Sequence, residues 1–241
     1  MQKPETRLFH LHYNVPDPSA AGRALADEGI PLRRRFGRVR DESVALAPGD
    51  PEPEGFRFRL RTHQRGYVNI TLAPGRRPRF DHLGLCTRAF DEVLARAERA
   101  GWPVRDPDGR RPFVTTPWGF RVELHRDGSD VESSLGDWDD AHLDKVTAVV
   151  PNPEAVRDGF ADVFGRVPGL VVRGADHLGE IGETRRRGTS ATERDERTGD
   201  ARPSAAVPRF RVAGRAFDGG GPNAETDEGR TIDAEAIVGE H

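Results

Sequence analysis

Three stretches of this chain open with alternating apolar and polar residues, reach a turn signal, and pass into a helical pattern. They begin at Phe9–Pro18, Asp81–Thr87 and Leu143–Pro153. In the first, a strand over Arg7–Val15 is expected, with Phe9, Leu11, Tyr13 and Val15 on one face and His10, His12 and Asn14 on the other. Pro18-Ser19 starts a helix that Gly29 stops. Strands are then predicted over Leu32–Val39, Ser43–Ala47, Phe56–Thr62 and Gly66–Leu72, separated by Pro/Gly/Asp turns. In Phe56–Arg61 the alternation reads as strict, Phe56, Phe58 and Leu60 against Arg57, Arg59 and Arg61.

The second stretch gives a strand over Phe80–Cys86, with His82, Gly84 and Cys86 opposite Leu83 and Leu85, and a helix over Phe90–Ala100. A short strand after Pro112, the turn Thr116-Pro117-Trp118-Gly119 and a strand over Phe120–His125 complete it. The third stretch starts near His142 and predicts a helix over Pro153–Phe164 and a strand over Leu170–Arg173. From about Asp176 to Ser204 the chain is polar and nearly free of large apolar residues, so a disordered insertion is expected there. Strands over Val207–Val212 and Thr231–Val238 would follow. A strand–helix unit repeated in this way predicts a pseudo-symmetric fold: a first module at 6–76, a second at 78–127 and a partial third at 140–241.

Composition narrows the setting. Only 35% of residues are hydrophobic and 32% are charged, which accords with a partly solvated chain, and the net charge of −3 gives no drive toward nucleic acid or an anionic membrane. Cys86 is the single cysteine, so no intrachain disulfide forms. The first residues lack an apolar leader, and no run approaches the roughly 20 apolar residues of a membrane span. A cytoplasmic location is expected. Expected partners are a small-molecule substrate, with no nucleic acid and no membrane, and a homodimer stays open.

The repeated units, the histidine on each of the first two opening strands, and the segment Phe113-Val114-Thr115-Thr116-Pro117-Trp118-Gly119-Phe120-Arg121-Val122-Glu123-Leu124 resemble the vicinal oxygen chelate superfamily. That superfamily includes glyoxalase I, bleomycin- and fosfomycin-resistance proteins, methylmalonyl-CoA epimerase and extradiol dioxygenases. The resemblance covers about Arg7–Arg126 and extends to the third unit in outline. It implies an α+β fold in which paired βαβββ modules form a curled mixed sheet around a cleft, with metal ligands on the first and last strand of each module. Carried over, it places ligands at His10, His82 and Glu123, puts Asn69 where a glutamate often stands, and puts Lys145 of the third unit in the histidine position, so that unit should bind no metal.

Strand arithmetic alone also sets His10, His82, Glu123 and Asn69 on the face opposite the large apolar side chains. Two imidazoles and a carboxylate suit divalent Fe, Mn, Zn or Ni with positions left for a bidentate substrate, and their ligand atoms should lie about 3–4 Å apart. His12 is placed as well as His10. His63 and His125 read as surface or cleft-lining, and Cys86 as a small buried residue. The row Arg57, Arg59 and Arg61 either forms a solvated strand face or lines the cleft for an anionic substrate, and Asn69, Arg57, Arg59 and Arg121 are the candidate substrate-binding residues.

Two functions from different classes remain. One is a metal-dependent dioxygenase, glyoxalase-like lyase or isomerase, or fosfomycin-type transferase; the extradiol enzymes carry a Tyr where this chain has Phe113, and no histidine precedes it. The other is a metal-free drug-binding protein of the bleomycin-resistance type. A third reading makes the last unit a structural or regulatory cap.

Overall fold

A computed structural model of the chain describes residues 5–106, 109, 111–174, 209–213 and 230–232. The expected insertion at about 176–204 lies outside the described residues.

The first module comprises β1 (Thr6–Val15), α1 (Pro18–Asp27), β2 (Leu32–Val39), β3 (Glu42–Leu46), β4 (Phe56–Arg65) and β5 (Val68–Pro74). The second comprises β6 (Arg79–Thr87), α2 (Phe90–Arg99), β7 (Val104–Arg105), β8 (Phe113–Thr115) and β9 (Arg121–Arg126). Together they build one nine-stranded mixed sheet, in the order β3-β2-β4-β5-β1-β6-β9-β8-β7. Each module places its first strand parallel to its last, β1 to β5 and β6 to β9, and the two first strands pair antiparallel at the centre. The sheet is open, with β3 and β7 as its edges. This is the α+β arrangement of paired βαβββ modules, with the β2–β3 hairpin adding an edge strand to the first.

After the short helix α3 (Asp130–Ser133), the third unit forms a separate four-stranded sheet. It contains β10 (His142–Val150), α4 (Pro153–Phe164), β11 (Leu170–Gly174), β12 (Arg209–Ala213) and β13 (Arg230–Ile232), in the order β11-β10-β12-β13. Here the strand directly after the helix lies parallel to the first strand, so β11 takes the place that the last strand holds in the other modules. The shared local sequence explains the shared start. Asp17 caps α1 by accepting from the Ser19 and Ala20 amides, and Asn152 caps α4 by accepting from the Ala155 amide, each with proline at the first helical position.

The main core lies between the helices and one face of the large sheet. Leu11, Tyr13, Ile70, Leu72, Leu83, Leu85, Val122 and Leu124 are buried there. The third unit joins this core through aromatic side chains: Phe160 stacks on Trp118 and Phe120, and Phe164 lies 5.9 Å from Trp102 between ring centroids. On the opposite face a smaller cluster gathers Phe9, Tyr67, Cys86 and Trp138.

Two departures from simple alternation reshape the faces. Leu8 pairs with Leu85 and His10 with Gly84, so Phe9 is the extra residue of a β-bulge and turns to the face opposite the main core. Leu8 takes the core position instead, which corrects the expected grouping of Phe9 with Leu11, Tyr13 and Val15. In β4, Leu60 pairs with Phe36 and Phe58 with Gly37, which makes Arg59 the extra residue. The expected arginine row is therefore broken. Arg61 reaches Ser19 of α1 and lies over the Phe58 ring, while Arg57 falls on the other face and donates to the Arg40 carbonyl.

Candidate metal centre

The antiparallel pairing of β1 with β6 sets His12 opposite His82, Leu11 opposite Leu83 and His10 opposite Gly84. A local two-fold axis therefore passes between Leu11 and Leu83 and relates His10 to His82. The same axis relates Phe9 to Asp81, and each is a bulge: Tyr13 pairs with Phe80, leaving Asp81 as the extra residue of β6. The third unit repeats the feature at Asp144, directly before Lys145. A bulge before the ligand position is thus common to all three opening strands. It re-aims the following side chain and brings its neighbour to the same side.

That neighbour matters in the second module. Adjacent strand residues normally point to opposite faces, yet Asp81 Oδ2 lies 2.7 Å from His82 Nδ1. Asp81 is itself held by Arg79 at 2.9 Å and by Arg121, whose guanidinium also covers the Phe113 ring. In the first module, His10 Nδ1 lies 2.9 Å from Asn69 Oδ1. A carboxylate oxygen and an amide oxygen only accept here, so each imidazole donates through Nδ1 and presents its Nε2 lone pair.

These lone pairs converge. His10 Nε2 and His82 Nε2 are 3.2 Å apart, and Glu123 Oε2 is 3.2 Å from His82 Nε2 and 3.9 Å from His10 Nε2. The other carboxylate oxygen, Oε1, accepts from His125 Nε2 at 3.0 Å and has Arg111 Nε at 3.7 Å. All three converging side chains are buried. Gly84 makes the approach possible, because a Cβ there would come within 2.7 Å of the His10 Cβ and 2.9 Å of the Phe9 ring.

The electrostatics follow from the same contacts. Burial, reinforced by neighbouring His82, pushes His10 down to about 3, and the same two causes push His12 down to about 4, so both are neutral imidazoles near pH 7. Burial works to lower His82 too, but its hydrogen bonds to Asp81 and Glu123 outweigh that and raise it above its ordinary value. Burial would raise Glu123, yet the hydrogen bonds from His125 and His82 hold it well below the usual carboxylate range. The point between the three groups is one that a cation fills: a proton on His82, or a metal ion.

His10, His82, Glu123 and Asn69 are thus brought to one place. Asn69 orients His10 through Nδ1. The register also revises its alignment: Glu123 pairs with Gly84, and the matching pair across the two-fold axis is His12 with Thr71, so Thr71 and not Asn69 stands where Glu123 stands. Arg57 and Arg59 are not at the cluster. They are exposed, and at about 3.3 Å per residue they lie roughly 16–23 Å along β4 from Gln64, the partner of Asn69. Arg121 is engaged by Asp81. His63 is buried against α1 with Nδ1 on the Ile30 carbonyl, and His125 is buried on Glu123, so neither is a surface residue. Cys86 is buried, as a small packing residue would be.

Sequence reasoning did not assign Asp81 or His125 to the site, although both sit next to or two residues from a predicted ligand. His12 belongs to the cluster as well: one ring nitrogen from each of His10, His12 and His82 lies within 4.8 Å of the others, a group able to hold a metal ion. A surface cavity of about 680 Å³ lies elsewhere, between α2, the end of β9 and α3, and touches the cluster only through His125.

No protein-family model and no curated protein matches the chain. Among solved structures it is similar to 2,2',3-trihydroxybiphenyl 1,2-dioxygenase from Sphingomonas wittichii, with 15% identity and a TM-score of 0.45 over 67% of this chain and 57% of that one. It is similar to a Mn(II)-bound glyoxalase from Novosphingobium aromaticivorans, with 18% identity and a TM-score of 0.45 over 66% of this chain and 52% of the other. Homoprotocatechuate 2,3-dioxygenase from Brevibacterium fuscum gives 15% identity and a TM-score of 0.46 over 71% of this chain and 61% of its own length. The chain thus spans little more than half the length of these structures. These three are dioxygenase and glyoxalase structures, and at 15–18% identity the likeness is one of fold alone. Among the described residues no helix is long and apolar enough to cross a membrane.

Proposed function

We propose that this protein is a divalent-metal-dependent enzyme whose ion, held by His10, His82 and Glu123, chelates adjacent oxygens of a small substrate. One observation carries the reading: three lone-pair-bearing atoms, two imidazole Nε2 and a carboxylate oxygen, face one point at mutual distances of 3.2–3.9 Å. Without a cation between them such an arrangement is repulsive, and among buried groups the repulsion is strong. The donor set suits Fe, Mn, Zn or Ni in the divalent state. A bound ion would supply Lewis acidity, polarising a carbonyl or stabilising negative charge on a substrate oxygen.

The remaining side chains orient and shield. Asp81 and Asn69 fix the two imidazole tautomers, the arrangement in which an outer acceptor raises ligand basicity. His125 binds the outer oxygen of Glu123 and leaves Oε2 to face the cluster. Phe113 packs edge-on against His82, with ring centroids 5.0 Å apart, and excludes water from that side. Arg111 is the exposed cation beside Glu123, which favours an anionic substrate. The metal-free drug-binding reading has no use for three buried, oriented donors.

The test is metal content of protein purified without chelator, followed by titration of the apoprotein with Mn(II) and Zn(II). One equivalent should bind in the wild type, and most of it should be lost in His82→Ala and Glu123→Ala but kept in His63→Ala and His142→Ala. Undiminished binding in Glu123→Ala would refute the assignment.

A further inference from the structure

The two-fold relation between the first two modules defines four ligand positions, and the first module fails to fill one of them. His10 and His82 are equivalent, and the mate of Glu123 is Thr71, a neutral hydroxyl that is a poor ligand for a divalent ion. Thr71 is the register partner of His12 on β1, and His12 is at the same time the register partner of His82 on β6. The imidazole therefore stands beside the gap on the same face of the sheet. Its ring centroid is 4.7 Å from that of His82 and 6.2 Å from that of His10.

Two donor triangles share the His10–His82 edge. One closes on Glu123, with sides of 3.2, 3.2 and 3.9 Å; the other closes on His12, with one ring nitrogen of each histidine within 4.8 Å of the others. Among the described residues the His12 ring contacts other rings but has no hydrogen-bond partner for its nitrogens, unlike those of His10 and His82. The position across the two-fold axis from His12 is Gly84, so the second module offers no counterpart. The asymmetry is thus specific: one module gives two histidines from its first strand, and the other gives a histidine and a glutamate.

Building on the metal site proposed above, we infer that His12 is a fourth protein ligand, which makes the centre a three-imidazole, one-carboxylate site. The consequence concerns the class of substrate and reaction. Four protein ligands around a six-coordinate ion leave two positions, which a bidentate oxygen chelate fills completely. No position then remains for dioxygen beside such a substrate. An ion so held would favour proton-transfer or lyase chemistry on a chelated anion over oxygenation.

The experiment loads the full-length protein with Cu(II) and counts coordinated imidazoles by the remote-nitrogen modulation in pulsed EPR, with Zn(II) affinity measured in parallel by chelator competition. Three imidazoles are expected in the wild type and two in His12→Ala, with Zn(II) affinity lower by roughly tenfold or more. His63→Ala should still show three, and His12→Gln, which removes the imidazole but keeps a polar side chain of similar size, should show two and serves if His12→Ala does not fold. Two imidazoles in the wild type, or a third that survives in the His12 variants, would overturn the inference and leave the three-ligand site standing. Failure of the wild type to bind Cu(II) or Zn(II) at all would overturn both.

Discussion

Replacing Gly84 with alanine tests the packing on which the centre depends. The new methyl would lie 2.7 Å from the His10 Cβ and 2.9–3.0 Å from the Phe9 ring. Carbon atoms rest at about 3.5–4.0 Å, so His10 has to retreat by roughly 0.8 Å or more. It cannot do so freely, because β1 is hydrogen-bonded to β5 on one side and β6 on the other. Overpacking of this kind costs about 2 kcal/mol, or roughly 4–8 °C in melting temperature for a chain of this size. The same displacement takes His10 Nε2 out of range of a bond of about 2.0–2.1 Å. If affinity falls 100-fold, the stabilisation gained on adding metal shrinks by about 2.7 kcal/mol. Thermal melts of the apoprotein with and without Zn(II) read both effects. Gly119→Ala is the control: its φ is +86° with no atom near the new Cβ, so it should lower stability without touching metal affinity. A Gly84→Ala protein that melts like the wild type and gains the same increment from Zn(II) would refute the argument.

Asp81→Asn should weaken Zn(II) binding by about 10–100-fold in a chelator competition, because it removes the anionic partner of His82 Nδ1; unchanged affinity would mean that Asp81 serves only Arg79 and Arg121. Stability of the apoprotein should fall as pH drops from about 6.5 toward 4.5. His10 and His12 stay neutral when folded but take up protons near their ordinary value when unfolded, and each contributes up to about 1.4 kcal/mol per pH unit. His82 is raised, so its contribution is fully present below 6.5 and is lost only as pH rises through its folded value; urea midpoints that stay flat over pH 6.5–4.5 would contradict this. Arg7→Ala should cost about 3–5 kcal/mol in urea unfolding, because buried Arg7 bonds Tyr67, Asp127 and Glu132 where α3 closes the second face. A loss below about 1 kcal/mol would show the network to be solvated.

Much of the architecture was legible in the chain because the repeat carries its own register. The Val15-Pro16-Asp17-Pro18 and Val150-Pro151-Asn152-Pro153 turns fix where each helix starts, and counting back from them places Lys145 where His10 stands, as the bulge at Asp144 confirms. Alternation placed His10, His82 and Glu123 on one face. It failed at the bulges, because two residues facing one partner is a property of pairing and not of the pattern along one strand. Alternation alone therefore puts Phe9 on the wrong face, makes the arginines of β4 one row, and passes over Asp81, since a residue adjacent to His82 ordinarily points away from it. The equivalence of Thr71 with Glu123 is hidden for a related reason: it is decided by strand register, His12 with Thr71 and Gly84 with Glu123, which the chain does not display along its length.

The central claim is that one divalent ion sits between His10, His82 and Glu123, and anomalous scattering from a crystal grown with Mn(II) or Zn(II) tests it most directly. A single strong peak is expected at about 2.0–2.2 Å from His10 Nε2, His82 Nε2 and Glu123 Oε2. A fully loaded crystal with its anomalous peak elsewhere, and these three side chains free of metal, would contradict the account.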